Sequence, residues 1–340
     1  MKRFLILAIS GSLFLGITQR AEAQIDFDSF LEAGIEDANS LFEQYMDPAF
    51  VGFGFGMNSG WYNTAKPHKF LGFDITASVS AAFVPTSAEF FTFNNADYDN
   101  VRLSDANDNR LPTLFGPNLG ADDLPELTFT DPTTGAELVR ITAPTGLGIE
   151  EDFPFNAVPV PMAQVGIGLF KGLELKVRYV PDITFDDDGE EQGSVRLFGL
   201  GAMYDIKRLL PADKLLPFDL SLFAGYSNLN SSIYIDRDAN QLSEFTVDAW
   251  TAQAVISKKL LFLTVYGGLG YASSSVDFAL KGDYTTETLT FTDPINLSFE
   301  NSGVRTNVGA RLKLLIFTIG AEYAFQEYNT LTASFGISFR

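Results

Sequence analysis

His68 is the one histidine in a chain that has no cysteine, so few side chains could serve as nucleophile, base or soft metal ligand. A serine hydrolase needs a strained turn that lifts its nucleophile beside the base, and Gly56-Met57-Asn58-Ser59-Gly60 misses the required G-x-S-x-G spacing. Between Pro67 and Lys69, His68 reads as a loop residue. Asp236-Arg237-Asp238-Ala239-Asn240 sets oxygen ligands at alternate positions, yet Gln241 stands where a calcium loop requires glycine, and no acid occupies the twelfth position. Asp105-Ala106-Asn107-Asp108-Asn109 fails in the same way at Arg110. The acids Asp186, Asp187, Asp188, Glu190 and Glu191 could take up a divalent ion, but a charge run without fixed spacing reads as a solvated loop. The residue inventory points to no enzyme, no cofactor and no dedicated metal site.

Composition directs attention to the elements that would position such residues. The chain has 340 residues, 23 basic against 43 acidic, a formal charge of -20. So negative a chain is no nucleic-acid binder, because phosphate contacts need a basic face. The 32 phenylalanines and 29 glycines go with a mean hydropathy of only +0.08. Aromatic richness at modest hydropathy is the signature of strands that alternate an apolar with a polar face, as in a membrane β-barrel.

Residues 1–23 read as a signal peptide: Lys2 and Arg3, an apolar run from Phe4 to Ile17 broken by Ser10, Gly11 and Ser12, then Ala21-Glu22-Ala23 before Gln24. Cleavage would leave 20 basic against 42 acidic residues. No later stretch reaches the roughly 18 to 20 apolar residues of a spanning helix. An exported chain of this kind is either soluble or spans the membrane as a closed barrel.

Period-2 alternation and strand length decide between these. Val304, Thr306, Val308, Ala310, Leu312, Leu314 and Ile316 share one face, and Arg305, Asn307, Gly309, Arg311 and Lys313 the other. Leu71-Phe73-Ile75-Ala77-Val79-Ala81-Phe83 and Phe317-Ile319-Ala321-Tyr323-Phe325 divide likewise. Such runs last about 10 to 14 residues, beyond the usual 5 or 6 of globular strands and matching membrane strands. Ten strands are legible: about 70–84, 160–170, 172–182, 194–207, 217–229, 244–258, 260–273, 303–315, 317–326 and 330–340. Their joints alternate in length, mostly short at one end and long at the other, with both termini expected on the periplasmic side. Segments 88–104, 127–142 and 276–299 could add strands. The expected fold is an all-β, transmembrane, antiparallel up-and-down β-barrel of about 12–14 strands with an N-terminal amphipathic helix as plug or hatch.

That helix is expected within 24–50, ahead of a barrel over 51–340. Phe27, Phe30, Leu31, Ile35 and Phe42 follow helical spacing, Ser29 and Glu32 can form a capping box, and the remaining face is acidic. An acidic helix suits packing on protein better than lying on a membrane surface.

Alternation turns Asp74, Glu174, Lys176, Arg178, Arg196, Asp219, Arg305, Arg311, Lys313 and Glu322 into the lumen, because Arg or Lys facing lipid costs about 2 to 4 kcal/mol at the midplane. Two roles stay open for them. They could form a wall-stiffening salt-bridge ladder, or Arg178, Arg305, Arg311 and Lys313 could hold an anionic head group. Tyr179, Tyr226, Tyr271 and Tyr323 fit interfacial girdles.

Asp47-Pro48-Ala49, the helical segment before it and the glycine-spaced aromatics Val51 to Gly56 resemble the layout of the long-chain fatty-acid transporter superfamily of outer-membrane proteins. The chain also resembles uncharacterised outer-membrane barrels with the run Gly60-Trp61-Tyr62-Asn63-Thr64-Ala65-Lys66-Pro67-His68, to which no activity is assigned. The first resemblance implies a 14-strand barrel, a lumenal hatch and passage of hydrophobic molecules through a side opening. The expected protein is a Gram-negative outer-membrane barrel. It would meet outer-membrane lipid, the barrel assembly machinery through its C-terminal strand Leu331 to Phe339, and a hydrophobic or amphipathic small molecule taken up passively. The alternative is a plugged structural or partner-binding barrel.

Overall fold

A computed structural model describes residues 34–105, 108–131, 133–152, 155–187, 190–211, 216–237, 239–285 and 290–339. The expected signal peptide, the hatch positions Phe27, Phe30 and Leu31, and the Ser29–Glu32 capping box lie outside these residues.

Ten antiparallel strands close into a barrel: β1 (Phe73–Phe83), β2 (Ala157–Gly168), β3 (Leu173–Asp187), β4 (Glu190–Asp205), β5 (Asp219–Asp236), β6 (Gln241–Leu260), β7 (Leu263–Lys281), β8 (Ile295–Leu314), β9 (Phe317–Phe325) and β10 (Thr330–Phe339). Each pairs with its sequence neighbour, and β1 closes the ring on β10 from Phe73↔Phe339 to Ala82↔Thr330. The expected 12–14 strands are corrected to ten, and so is the 14 that the fatty-acid-transporter resemblance implied. The wall is made of the ten legible strands, and the further alternating segments add no strand to it. Segments 88–104 and 127–142 contribute to two small sheets, one of Val101–Leu103, Glu126–Thr130 and Glu137–Thr142, the other of Phe90–Thr92 and Arg110–Pro112. Segment 276–299 continues β7 and β8 upward to a small hairpin, Asp283–Thr285 with Thr290–Thr292.

The tight connections at 169–172, 261–262 and 315–316 lie at the end where β10 finishes, here termed the base. The long connection 84–156 lies at the other end, the crown. Along the tall strands the wall inverts its polarity part-way up. On β6, Trp250 and Ile256 face outward below, but Glu244, Thr246 and Asp248 face outward above, opposite buried Phe245 and Val247. On β8, outward Val304, Val308 and Leu312 give way to Ser298, Glu300 and Ser302, while Leu297 and Phe299 turn inward. The switch falls at outward Tyr179, Phe198, Tyr226, Trp250 and Tyr271, the upper aromatic girdle. About nine tilted residues below it span roughly 20–25 Å, the height of a hydrocarbon band. Lipid therefore meets the lower wall, and water meets the crown. Arg196 is corrected by the same switch: it stands on the outward, exposed face of β4 above Phe198, where its charge meets water at no cost.

Helix α1 (Ile35–Met57) descends from the crown into the barrel and supplies the core that the inverted wall encloses. It runs seven residues past the expected boundary at 50 and carries Pro48 and the glycines 52, 54 and 56 within it. Gly52 and Gly56 lie on the face that meets β2: a Cβ on Gly52 would stand 2.6 Å from Val158 Cγ2. Phe50 packs on Phe245, Phe278 and Phe299, and Phe42 stacks on Phe278. Ile35, the other described hatch position, is exposed at the helix start. Asp37 accepts the backbone N–H groups of Asp99 and Asn100, and Asn39 bonds to Pro294 and Asn296, so the helix begins at the crown. The first described residues thus lie at the end opposite to that where β10 finishes, which differs from an arrangement with both chain ends on one side.

Candidate functional site

Below Met57 the chain leaves α1 and runs down the lumen as an extended coil to β1, tied to the wall by hydrogen bonds at Asn58, Ser59, Trp61 to Ala65 and His68. Arg178 of β3 is fully buried and donates to the Met57 carbonyl at 2.7 Å and the Ser59 carbonyl at 2.6 Å, with its guanidinium 3.6 Å above the Trp61 ring. A guanidinium at the last carbonyls of a helix meets the negative end of its dipole. Arg305 of β8, 1% exposed, donates to Ser59 Oγ at 3.0 Å, Gln326 Oε1 at 2.7 Å and Glu322 Oε1 at 2.8 Å. Lower down, Gln164 donates to the Trp61 carbonyl, Tyr62 to Gln253 and Asn307, and Ser221 to the Ala65 carbonyl. Arg311 donates to Asn63 Oδ1 at 2.9 Å and Lys313 to Ser338 Oγ at 2.9 Å.

These contacts decide what the inward charges hold in this structure. Arg178, Arg305 and Arg311 reach the lumen as alternation requires, and all three bind the plug segment. Lys313 is half-exposed at the base. The sequence left open a wall ladder or a head-group site, and neither reading named the plug as the partner. The one available signal was the run of polar and aromatic residues at 58–68, which supplies the carbonyl and hydroxyl acceptors.

His68 lies in this coil, as a loop residue would, but inside the lumen with its side chain shielded and not on a surface loop. Its backbone N–H donates to Glu174 Oε2 at 2.7 Å, its Nδ1 lies 2.9 Å from the same oxygen, and its Nε2 lies 3.1 Å from Ser338 Oγ. His68, Asp74 and Glu174 bring one ligand atom each within 4.8 Å of one another. The positive charge there is already supplied: Lys176 Nζ stands 2.7 Å from Glu174 and 3.5 Å from Asp74. The cluster is a satisfied latch that fixes the foot of the plug between β1, β3 and β10.

The wall has one weak place. Strands β2 and β3 pair over five residues, Gln164↔Arg178 to Gly168↔Glu174, and then part, although both continue upward. Above the fork β2 pairs with β1 and β3 with β4. Pro159 and Pro161 stand on one free edge, and Pro181 stands in a bulge on the other. The β1 ladder passes both β2 prolines without a break, as it can when their donor-free nitrogens turn toward the seam. An open strand edge exposes unpaired N–H groups, and proline removes them, so these edges resist pairing with another strand. The seam opens beside Tyr179, at the girdle, and Arg178 sits at its fork.

In the crown a cavity of about 270 Å³ is lined by Asp47, Pro48, Phe90, Phe91, Glu327 and Tyr328. Burial, with Glu327 and Glu43 nearby, pushes the Asp47 carboxyl up to about 6.

The sequence matches a family of unknown function, DUF6588, over residues 1–339. The chain belongs to that family. No curated protein matches it. Among solved structures, this DUF6588 chain is similar to the attachment invasion locus protein Ail of Yersinia pestis, at 14% identity, 49% coverage of this chain and 94% of that one, TM-score 0.27. The translocator domain of the autotransporter NalP from Neisseria meningitidis is similar at 10% identity, covering 80% and 90%, TM-score 0.29. A FadL homologue of Pseudomonas aeruginosa is similar at 9% identity, covering 87% and 97%, TM-score 0.23. Scores this low carry no argument about path or ligand.

Proposed function

We propose that the protein is an outer-membrane barrel that passes hydrophobic or amphipathic small molecules without energy input, and that they reach its interior through the β2–β3 seam beside the plug. The split seam is the observation that carries this reading: five paired residues, then two proline-bearing edges at the height of the girdle. A molecule leaving the lipid beside Tyr179 would meet β2 with the glycine face of α1 behind it, and above that the core of Leu197, Phe245, Val276, Phe278 and Phe299 packed on α1, which must shift to admit it. The axis of the lumen offers no comparable route, since coil and wall are hydrogen-bonded down to His68. Supporting the outer-membrane placement are the closed barrel, the expected signal peptide, the lack of cysteine and the short turns gathered at one end, which would then face the periplasm. Neither catalysis nor a cofactor enters this function, and the barrel assembly machinery is expected to act on β10.

The second reading, a plugged structural or partner-binding barrel, is favoured by how firmly the plug is tied. Mass spectrometry of lipids extracted after gentle purification from the native membrane, against an unrelated barrel handled identically, separates the two. The passage reading expects one enriched hydrophobic species. Bulk membrane lipid alone would favour the closed barrel.

A further inference from the structure

The base of the barrel combines two features that the fold does not require. Two two-residue hairpins of the base, Leu260 to Leu263 and Leu314 to Phe317, each place a leucine at the first central position with a positive φ, 56° at Leu261 and 56° at Leu315. Two-residue hairpins want Gly, Asn or Asp there, because a left-handed backbone crowds any other side chain. These leucines are also 85% and 91% exposed, the two highest values among the exposed large hydrophobics. Leu71, with φ 59°, repeats the pattern just before β1. A strained residue type, apolar and exposed, at three separate turns, 58% at Leu71 and far more at the two hairpins, is not accounted for by contacts within the barrel.

The second feature is charge. In a chain of net charge -20, the wall and turns of the base carry exposed Lys69, Lys171, Arg208, Lys258 and Lys259. Among the described residues the acids of this end are Asp205 and Asp219 on the wall and Asp74 and Glu174 buried in the lumen. The base is therefore basic on an acidic protein, and its cations stand beside the leucine tips and the stacked pair Phe70–Phe170. The lipid-facing band runs into those tips, from Leu312 and Leu314 to Leu315, and from Val265 and Phe262 to Leu261.

We infer that the base is a collar for anionic phospholipid: the leucine tips sit among acyl chains, and the lysines and Arg208 reach out to phosphate head groups. Lysine stems cover apolar surface while their ammonium groups reach the interface, and each cation near an anionic leaflet adds attraction that soluble anions at a distance do not supply. A soluble protein partner would be served by the charges but not by a belt of leucines continuous with the lipid band. The inference rests on the membrane placement of the barrel and not on the passage of any molecule, so either can fail alone.

The test is native mass spectrometry of the full-length protein released from mixed micelles containing phosphatidylglycerol and phosphatidylcholine with identical acyl chains. The wild type should retain phosphatidylglycerol several-fold over phosphatidylcholine. The triple variant Lys258→Gln, Lys259→Gln, Arg208→Gln should lose that preference. Leu261→Asn with Leu315→Asn should raise the unfolding temperature in detergent, by relieving the left-handed leucines, while lowering retention of both lipids. Equal retention of the two lipids by the wild type, an unchanged preference in the triple variant, or leucine variants that lose stability and keep their lipid would overturn the collar. Displacement of bound lipid by millimolar inorganic phosphate would also overturn it, assigning the site to a soluble anion.

Discussion

Arg178 stands where helix, coil, wall and seam meet, and it holds the plug's last helical carbonyls against the foot of the fork. Arg178→Lys keeps the charge but not the planar guanidinium that reaches Met57 and Ser59 together. Leaving one of those buried carbonyls unpaired should cost about 1 to 3 kcal/mol. The expected outcome is a lower unfolding temperature and a raised small-solute leak in planar bilayers, with the β-sheet circular dichroism unchanged. A second residue-scale prediction concerns Asp47. Its carboxyl titrates at about 6 in the folded protein, above its ordinary value, so the folded state holds the proton more tightly than the unfolded chain. The ionised form is penalised at neutral pH, and the penalty fades as pH falls through about 6 toward about 4. Asp47→Asn should therefore be more stable than wild type at neutral pH, and the two should converge below about pH 4 in thermal melts. That charges such as Arg178 and Arg305 face inward was legible because lipid would penalise them. What they hold was not, since Arg178 meets Met57 and Ser59 across 121 and 119 residues of sequence.

At the scale of the element, α1 shows how two correct local signals can mislead. Pro48 reads as a breaker, and glycines at 52, 54 and 56 read as a strand with alternate small residues. In the structure the proline is carried within the helix and the glycines let its backbone approach the wall. Gly52→Ala would gain about 1 kcal/mol of helix propensity. Against that, the new Cβ falls 2.6 Å from Val158 Cγ2 and 3.2 Å from its Cβ, on a stiff β-branched residue, and overpacking of this kind costs about 1 to 3 kcal/mol. The net expectation is a loosened plug, read as faster proteolysis within 34–57 while the barrel stays resistant. Wall strands were legible for the opposite reason: lipid outside and polar groups inside leave an alternation that lasts as long as the bilayer is thick.

For the whole molecule, the polarity switch at the girdle explains both the success and the overcount. Alternation continues above the membrane with its sense reversed, so the upper halves of β7 and β8 and the small crown sheets read as additional strands. Their apolar sides face the buried core that α1 completes instead of lipid, and a periodicity does not say which side of a strand is wet. The seam was not read from the sequence; the signal present was the three prolines at 159, 161 and 181, in or beside the expected strands 160–170 and 172–182.

The claim that hydrophobic molecules enter through that seam is open to one direct measurement, because the chain has no cysteine of its own. Continuing the register past Gln164↔Arg178 would bring Met162 opposite Val180 if the seam zipped shut. In the double variant Met162→Cys, Val180→Cys, uptake of a fluorescent hydrophobic probe into proteoliposomes is compared before and after oxidation. Oxidation should abolish uptake and reduction should restore it, with the plug intact throughout. Undiminished uptake with the disulfide fully formed would contradict entry through the seam.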